Sequence, residues 1–308
     1  MLSFVVWPRG ISYKAHTYIM KFNKRTYPLT ASVNDFHFWQ RPSFNLLSQA
    51  QLDHIYAAAL EVLARVGGEF HDPAAVALLS DAGARVEADR RVRIPDRLVA
   101  DAVQKAPSSI VVHDRNGQPR LFLEDRNTYF GPGSDTPYTL DPVSGVRRPA
   151  VLDDVVRAAR VLDALPELDF SMCFALASDV PHQVSDLHHF AAMVRSTQKP
   201  LIVTAWDLAG MRNIHRMMEM VANDKAMLRN RPFVVVFLMA ISPLRFPKES
   251  LQKLMFCAEN GIPCIWTSGC PTAGATAPIF PAGSMVVALA EFLAGLVVAQ
   301  LTHPGAPV

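Results

Sequence analysis

The sequence has few charged residues and almost no net charge, which argues against several classes of partner. Charged residues make up 19% of the 308 residues, and 30 basic residues against 28 acidic ones leave a net charge of +2. Nucleic acids and anionic membranes attract strongly basic surfaces, so neither partner is indicated. Because 50% of the residues are hydrophobic, we expect a globular protein with a large core that acts on a small molecule or a protein partner.

Cysteine is also scarce, and the pattern of cysteines and histidines predicts no metal site. The four cysteines include no Cys-x-x-Cys pair, so we expect reduced thiols in a cytoplasmic protein. Cys264 and Cys270 flank a predicted strand end, as in thiolate-zinc methyltransferases, but two thiols do not make a tetrahedral zinc site. There is no His-Glu-x-x-His pattern. We interpret four histidines as surface or packing residues, namely His182, His188, His189 and His215.

The first 45 residues carry no sustained helical or alternating pattern. They are rich in aromatic and basic residues but lack the order of regions that a signal peptide has. They share a basic, acid-poor composition with transit segments, although no amphipathic face emerges. We interpret residues 1–45 as a poorly ordered arm or as the product of a misassigned start codon. We divide the rest into a helical and hairpin region, 46–150, and a barrel-like region, 151–308.

Helix signals open the second region. Ser48 and Gln51 form a capping box, and Gly67 ends that helix. Asp72 followed by Pro73 begins the next helix. The three helices are predicted over residues 48–67, 72–83 and 95–106. They have apolar faces without a polar cluster, so we interpret them as a packing layer.

The pattern changes to a period of two in residues 108–148. One hairpin is predicted around Asn116 and Gly117, and a second joins residues 138–141 to residues 145–148. Residues 131–137 lie between them and lack the flanking strand and helix of a Rossmann phosphate loop. We interpret that segment as a turn.

From residue 152 helices and strands alternate regularly. Nearly unbroken apolar runs predict strands over residues 170–177, 200–205, 232–240 and 262–267, with helices over residues 152–165, 184–194, 208–221 and 248–259. This alternation predicts βαβ units and a parallel sheet. Such units fit either a doubly wound sheet or the first half of a (β/α)₈ barrel. No Gly-x-Gly-x-x-Gly follows the first strand to favour a Rossmann domain.

The last long apolar run is interrupted by Glu291 and Gln300, and a membrane span takes about 20 apolar residues. We therefore predict a buried helix over residues 285–301 instead of a span. Residues 303–308 are interpreted as a loop and the first residues of a fifth strand. A full barrel takes roughly 250 residues from its first strand, so residues 170–308 would supply a little over half. We expect the open edge of the fourth strand to cause association or poor solubility.

In a parallel barrel the residues that face a ligand follow each strand directly. Trp206 suits a cationic ammonium, since cation–π attraction is worth about 0.5–2 kcal/mol, and Arg245 suits a carboxylate. Other candidates are Ser178, Asp179, Asp207 and Ser268. The predicted substrate-binding set is Trp206, Ser242, Arg245, Cys270, Thr272 and Thr276. A structural role is an equal alternative for each singly. We expect Trp206, Arg245, Cys270 and Thr272 to line one concavity, and no catalytic residue is assigned because no triad or carboxylate pair is convincing.

Residues 268–278 read Ser-Gly-Cys-Pro-Thr-Ala-Gly-Ala-Thr-Ala-Pro, and this run resembles the trimethylamine methyltransferase family of corrinoid-dependent enzymes. The resemblance covers the chain from about residue 46 to its end. Its other similar segments are residues 69–73, 81–86, 106–109, 131–133, 138–142, 147–150, 242–245 and 290–308. Thr272 stands where an apolar residue is expected, and Pro281 follows Phe280 just before the last predicted helix.

The resemblance implies a barrel that holds a methylated amine, such as trimethylamine or glycine betaine, and presents one N-methyl group to cob(I)alamin on a separate corrinoid protein. Cobalt is the nucleophile in that reaction, so the barrel would mainly bind and orient its substrate. Such chemistry belongs to methanogenesis from methylated amines. Archaeal trimethylamine enzymes of the family carry pyrrolysine in the later half of the barrel. We expect that half to be absent from these 308 residues.

We therefore predict an α/β chain in which a helical and β-hairpin N-terminal region precedes about the first half of a TIM (β/α)₈-type barrel. It would belong to a cytoplasmic, homo-oligomeric methyltransferase that binds no cofactor tightly and meets its corrinoid on a partner protein. We expect the chain alone not to turn over methylated amines. The alternatives are a non-catalytic fragment or pseudo-enzyme with a scaffold role, and a zinc-thiolate methyltransferase or aldolase-like barrel enzyme.

Overall fold

The computed structural model describes residues 45–87, 90–134, 136–223 and 225–308, so nearly all of the predicted arm lies outside the described residues. Residues 48–308 form a compact unit. Its described helices are α1 (Gln49–Glu61), α2 (Pro73–Asp81), α3 (Asp96–Lys105), α4 (Leu152–Ala164), α5 (Ser185–Ser196), α6 (Leu208–Ala222), α7 (Lys225–Asn230), α8 (Lys248–Asn260) and α9 (Pro281–Thr302). Its described strands are β1 (Gly68–Phe70), β2 (Arg85–Val86), β3 (Arg91–Arg93), β4 (Ile110–His113), β5 (Pro119–Leu123), β6 (Tyr138–Leu140), β7 (Arg147–Pro149), β8 (Ser171–Met172), β9 (Leu201–Val203), β10 (Val234–Met239), β11 (Arg245–Phe246) and β12 (Cys264–Thr267).

The first helix begins and ends as the sequence predicts. The Ser48 side chain accepts a hydrogen bond from the Gln51 N–H, and the Gln51 side chain accepts one from the Ser48 N–H at 2.8 Å. This pair satisfies two donors that a helix start leaves unpaired. A π-helical turn, Val62–Val66, extends the helix, and Gly67 ends it with a φ of 71°. Glycine adopts that left-handed conformation without steric cost.

Four strands form a parallel sheet in the order β8-β9-β10-β12, which is also their order along the chain. A main-chain N–H near the start of each strand donates to a carbonyl, which for the first three strands lies just before the next strand of the sheet. The pairs are Ser171 to Pro200, Leu201 to Phe233, Val236 to Pro263 and Cys264 to Pro307, all at 2.9 Å. The predicted parallel βαβ pattern is thereby confirmed. The described strands show no reversal of the kind that marks a doubly wound sheet, and they do not close into a barrel.

Helices cover one face of the parallel sheet. Helix α5 packs on β9, α8 on β10 and β12, and α9 on β12. Val203, Val236, Leu238 and Trp266 are buried in a single apolar cluster that draws on both the 46–150 and the 151–308 regions. The two regions therefore share one core, and the predicted boundary at residue 150 stays a prediction.

The β4–β5 hairpin covers the amino ends of the parallel strands. The His113 N–H donates to the Pro232 carbonyl at 2.7 Å, and the Arg115 N–H donates to the Gln198 carbonyl at 2.9 Å. Both acceptors lie just before a strand, and apolar hairpin residues join a cluster with Met172, Ile202 and Val235. The hairpin that the sequence predicts is thus confirmed, and it closes the amino end of the sheet.

A second sheet, in the order β11-β1-β3-β2, is not predicted from the sequence. Its strands are two or three residues long, too short to show a period of two. Strand β11 pairs in parallel with β1, which places Phe246 beside Phe70 with ring centroids 4.3 Å apart. This pairing fastens the N-terminal region to the chain that follows β10.

Helix α9 runs from Pro281 to Thr302, so the prediction that Pro281 precedes the helix is wrong. Proline fits the first turn because the N–H there has no helical partner. By length and composition α9 is apolar enough to cross a membrane, and half of its most apolar window is buried in the structure. The side chains of Glu291 and Gln300 are buried and hydrogen-bonded. Gln300 donates to the Ala306 carbonyl and accepts from the Gly305 N–H, both at 2.8 Å.

Several predicted boundaries need correction. The first strand of the parallel sheet ends at Met172 instead of residue 177, because the chain then bends and the Leu176 N–H donates to the Thr136 carbonyl at 3.0 Å. The second hairpin pairs Tyr138 with Pro149. Its second strand begins at residue 147, two residues later than predicted. Helix α7 has no counterpart in the prediction.

Candidate functional site

The carboxyl ends of the parallel strands present exposed apolar side chains. Phe174 and Leu176 follow β8, Trp206 follows β9, and Ile241 follows β10, and all four are more than a third exposed. Parallel strands bring their carboxyl ends to the same edge of a sheet, where enzymes of this architecture bind their substrates. Because the β4–β5 hairpin covers the opposite end, this edge is the candidate site.

Trp206 is the most exposed of these four, with 59% of its surface accessible. The main-chain N–H of Trp206 donates to Asp186 Oδ2 at 3.0 Å. The carbonyl of the preceding residue, Ala205, accepts a hydrogen bond from Lys253 Nζ. Asp186 and Lys253 are both buried, and a buried polar group strongly resists losing its partner. The backbone of Trp206 is therefore held from α5 and α8, while its indole stays accessible.

The indole of Trp206 contacts a second aromatic ring. The His182 ring meets the Trp206 ring edge to face, with centroids 4.4 Å apart, an arrangement that aromatic pairs favour. Burial lowers the pKa of Lys253, while Cys257 and nearby carboxylates act in the opposite direction. An exposed indole suits a cationic ligand, and the side chains behind its backbone are one acidic and one basic group, Asp186 and Lys253.

Glu291 of α9 joins the two loops that follow β10 and β12. Its carboxylate is fully buried and accepts three hydrogen bonds, from Ser242 Oγ at 2.9 Å and from the N–H groups of Leu244 and Gly269 at 2.8 Å each. Its carbonyl accepts a fourth from the Trp266 indole at 3.0 Å. Ser242 is one of the predicted substrate-binding residues, and in the structure its hydroxyl donates to Glu291.

The second residue of the loop after β12, Gly269, has no room for a side chain. A Cβ at this position would lie 2.2 Å from the Ser242 nitrogen, far inside van der Waals contact. The loops after β10 and β12 therefore touch through their backbones. Only glycine permits this approach.

The rest of the loop after β12 folds on itself. The Thr272 N–H donates to Thr276 Oγ1 at 2.8 Å, and Thr272 Oγ1 donates to the Cys270 carbonyl at 3.4 Å. Cys270 is exposed and has a φ of 56°. Thr272 and Thr276 therefore shape the loop, and the predicted contact of these three residues with substrate stays a prediction.

Arg245 belongs to β11 of the second sheet. Its Nε lies 3.2 Å from Glu69 Oε2, so the carboxylate it binds belongs to this chain. It lines a cavity with His71, Arg90 and Lys248, and the lining of that cavity does not include Trp206. The predicted common concavity with Trp206, Cys270 and Thr272 stays a prediction.

Other strand-end candidates have structural partners. Ser178 Oγ donates to the Ala150 carbonyl at 2.8 Å, and Asp179 Oδ1 accepts from the Leu152 N–H at 2.9 Å at the start of α4. Asp207 caps α6 by accepting from the Gly210 N–H at 2.7 Å. Ser268, the last strand-end candidate, is half-buried.

The β6–β7 hairpin lies next to this edge and is fastened by Arg148. The guanidinium forms a two-pronged contact with Asp154, at 2.7 and 2.9 Å, and also reaches Asp141 at 3.3 Å. Such bidentate pairs fix orientation as well as energy. N–H groups of Ser144 and Val143, with Arg148, lower the pKa of Asp141 to about 2.

No group of three or more potential metal ligands occurs among the described residues. Cys264 is buried and contacts Cys257, and burial together with that contact raises its pKa. Cys270 is exposed on the loop. The buried His189 accepts a hydrogen bond from the Ala177 N–H at 3.2 Å, in agreement with the packing interpretation.

Sequence reasoning missed the residues that support the site from behind. Asp186, Lys253 and Glu291 lie 20 to 49 residues from the groups that they bind. The one available signal was a lone carboxylate in the apolar run of α9. His182 was interpreted as a surface or packing residue, and its contact with Trp206 was not foreseen.

The fold and the site define an α/β protein with a parallel sheet whose carboxyl end carries an exposed aromatic residue with a firmly hydrogen-bonded backbone. The sequence profile of the family described as trimethylamine methyltransferase (MTTB) matches residues 23–308. The chain belongs to this family.

Individual relatives agree. A trimethylamine methyltransferase of Desulfitobacterium hafniense is 30% identical over 265 residues, covering 85% of this chain and 53% of the relative. A glycine betaine methyltransferase of the same species is 26% identical, covering 87% and 55%. A trimethylamine methyltransferase of Methanosarcina thermophila is 28% identical, covering 91% and 59%. The chain thus spans about half the length of the curated relatives it matches.

Proposed function

We propose that this chain carries the part of a corrinoid-dependent methyltransferase that binds a methylated ammonium, such as trimethylammonium or glycine betaine. Membership of the family supports the reaction class. The relatives named above act on trimethylamine or glycine betaine. The exposed Trp206 at the strand ends is the observation that carries the proposal for this chain.

In this proposal the parallel sheet is part of a (β/α)₈-type barrel. The strands follow chain order, as they do in such barrels. The Pro307 carbonyl accepts a hydrogen bond from β12 in the same way as the Pro200 carbonyl accepts from β8 and the Pro263 carbonyl from β10. Pro200 and Pro263 each lie just before the next strand, so Pro307 lies where the residue before a further strand is expected. The hairpin over the amino ends also fits, because barrel enzymes bind substrates at the carboxyl ends.

Trp206 binds the ammonium through the negative face of its indole. A trimethylated or quaternary ammonium has at most one N–H group that could donate a hydrogen bond. An aromatic face therefore suits it better than a carboxylate alone. Because Asp186 and Lys253 hold the adjacent backbone, the indole keeps its position without a large entropic cost on binding. Its edge contact with His182 restricts the ring further.

The corrinoid of a partner protein would supply the nucleophilic cobalt that accepts the methyl group. The residues of this chain then have to orient the substrate and exclude water. Phe174, Leu176 and Ile241 are exposed at the same edge, and apolar side chains of this kind fit the flat face of a macrocycle. The hydrogen bonds of Glu291 hold the loops after β10 and β12 together.

The test is a calorimetric titration with tetramethylammonium and glycine betaine, compared with 3,3-dimethylbutan-1-ol, a neutral compound of similar shape. We expect binding of the two quaternary ammonium compounds only. Trp206→Ala should weaken it about 2- to 30-fold, the equivalent of 0.5–2 kcal/mol, and Trp206→Phe should keep most of it. Phe130→Ala, which removes another exposed aromatic ring, is the matched control. Equal binding of the neutral compound, or unchanged affinity in Trp206→Ala, would refute the proposal.

A further inference from the structure

Two adjoining cavities form a groove between β1, α2 and the start of α8, which we call the β1 groove. The larger cavity has a volume of about 640 Å³, and Phe70, Pro73, Val76 and Val86 give it an apolar floor. The smaller one, of about 440 Å³, continues towards Arg245. The two cavities share His71, Arg90 and Lys248.

The cations of the β1 groove are unequally neutralised. Glu69 pairs with Arg245 at 3.2 Å and with His71 at 3.1 Å, so both of its oxygens are occupied. Among the described residues, no carboxylate lies within ion-pairing distance of Arg90 or Lys248. The described lining of the larger cavity contains these two cations and no carboxylate, whereas Glu249 lines the smaller one.

We propose that the β1 groove binds an anionic amphiphile, a carboxylate or phosphate ester that carries a short hydrocarbon chain. The anionic head lies between Arg90 and Lys248, and the hydrocarbon covers Val76 and Val86. A cavity with an apolar floor and a few convergent polar groups is the usual form of a small-molecule site. An inorganic anion would leave the floor in water, and an uncharged ligand would leave the cations unpaired.

This site is separate from the methyltransferase proposal. Trp206 lines neither cavity of the β1 groove, although Ile241, another exposed side chain of the candidate site, lines the smaller one. Binding of an amphiphile therefore needs no corrinoid and no methylated ammonium. Failure of one proposal leaves the other intact.

The probes are four ligands with the same octyl chain, namely octanoate, octyl phosphate, octan-1-ol and octyltrimethylammonium, together with inorganic phosphate, each titrated calorimetrically into the full chain. We expect saturable binding of octanoate or octyl phosphate, at least roughly tenfold tighter than octan-1-ol, and weakening as salt is raised. The ratio between octanoate and octyl phosphate identifies the head group. Equal binding of octyltrimethylammonium, or equally tight binding of inorganic phosphate, would overturn the proposal.

Variants locate the site. Arg90→Gln and Lys248→Gln should each weaken the preferred anion about two- to fivefold, as expected for partly exposed charges, and the double variant should weaken it roughly tenfold. Val76→Glu should abolish binding, because it places a carboxylate in the floor. Lys105→Gln changes an exposed lysine on α3 outside the groove and should have no effect. Undiminished binding by the double variant, with its fold verified by circular dichroism, would refute the assignment.

Discussion

Replacing Glu291 by glutamine tests how the two loops of the candidate site are held. The carboxylate accepts from the Leu244 N–H on one oxygen and from Ser242 and the Gly269 N–H on the other. Glutamine can accept on one side only, and its amide nitrogen must face a donor on the other. The loss of one hydrogen bond to a charged group costs about 1.5–3 kcal/mol, and a buried unsatisfied N–H costs about 1–3 kcal/mol. We expect Glu291→Gln to lower the free energy of unfolding by about 2.5–6 kcal/mol.

The assay combines urea denaturation with amide hydrogen exchange. Protection should fall at the amide of Leu244 or at that of Gly269, because these amides bond to different oxygens of Glu291 and glutamine replaces one of the two oxygens by a donor. Glu259→Gln makes the same chemical change at an exposed position of α8, and it should change stability by less than about 0.5 kcal/mol.

A double-mutant cycle with Ser242→Ala measures whether the contact is direct. The cost of Ser242→Ala should shrink in the Glu291→Gln background, since contacting residues couple by about 0.5–3 kcal/mol. The reasoning would be refuted if Glu291→Gln matched the wild type in stability and left the protection of both amides unchanged.

Three further changes have defined outcomes. Gly269→Ala should cost about 1–3 kcal/mol in urea denaturation, because the new Cβ lies 2.2 Å from the Ser242 nitrogen and the loops must separate. The folded pKa of Asp141 is depressed to about 2, so its contribution is present above the unfolded value near 3.8. The difference in stability between wild type and Asp141→Asn should therefore disappear as pH falls from about 4 to about 2, and a constant difference would contradict this. Lys253 has a folded pKa below its ordinary value of 10.5, so the unfolded chain binds more protons. Wild type should gain stability relative to Lys253→Met as pH rises towards 10.5, and a difference that does not change with pH would contradict this.

Local signals in the sequence predicted local structure well. The capping box of Ser48 and the proline at the start of α2 act within four residues, and both occur in the structure. The apolar runs predicted β9, β10 and β12 because parallel strands are buried on both faces. Strand β8 was overextended, since an apolar run does not reveal where the chain bends.

Contacts between distant segments set the limits of sequence reasoning. Arg245 was predicted to bind the carboxylate of a ligand, and in the structure a carboxylate of β1 pairs with it. Nothing local indicates that pairing, because β11 has only two residues. Trp206 was predicted from its place after a strand, but its support by Asp186 and Lys253 depends on how α5 and α8 pack.

The central claim, that Trp206 binds a methylated ammonium, can be read from the indole N–H signals of ¹⁵N-labelled protein during titration with tetramethylammonium. The Trp206 signal is identified by its loss in Trp206→Phe. We predict that it shifts saturably, while the signal of Trp266, buried and bonded to the Glu291 carbonyl, stays in place, and that 3,3-dimethylbutan-1-ol shifts neither. A Trp206 signal that does not move at saturating tetramethylammonium would contradict the account.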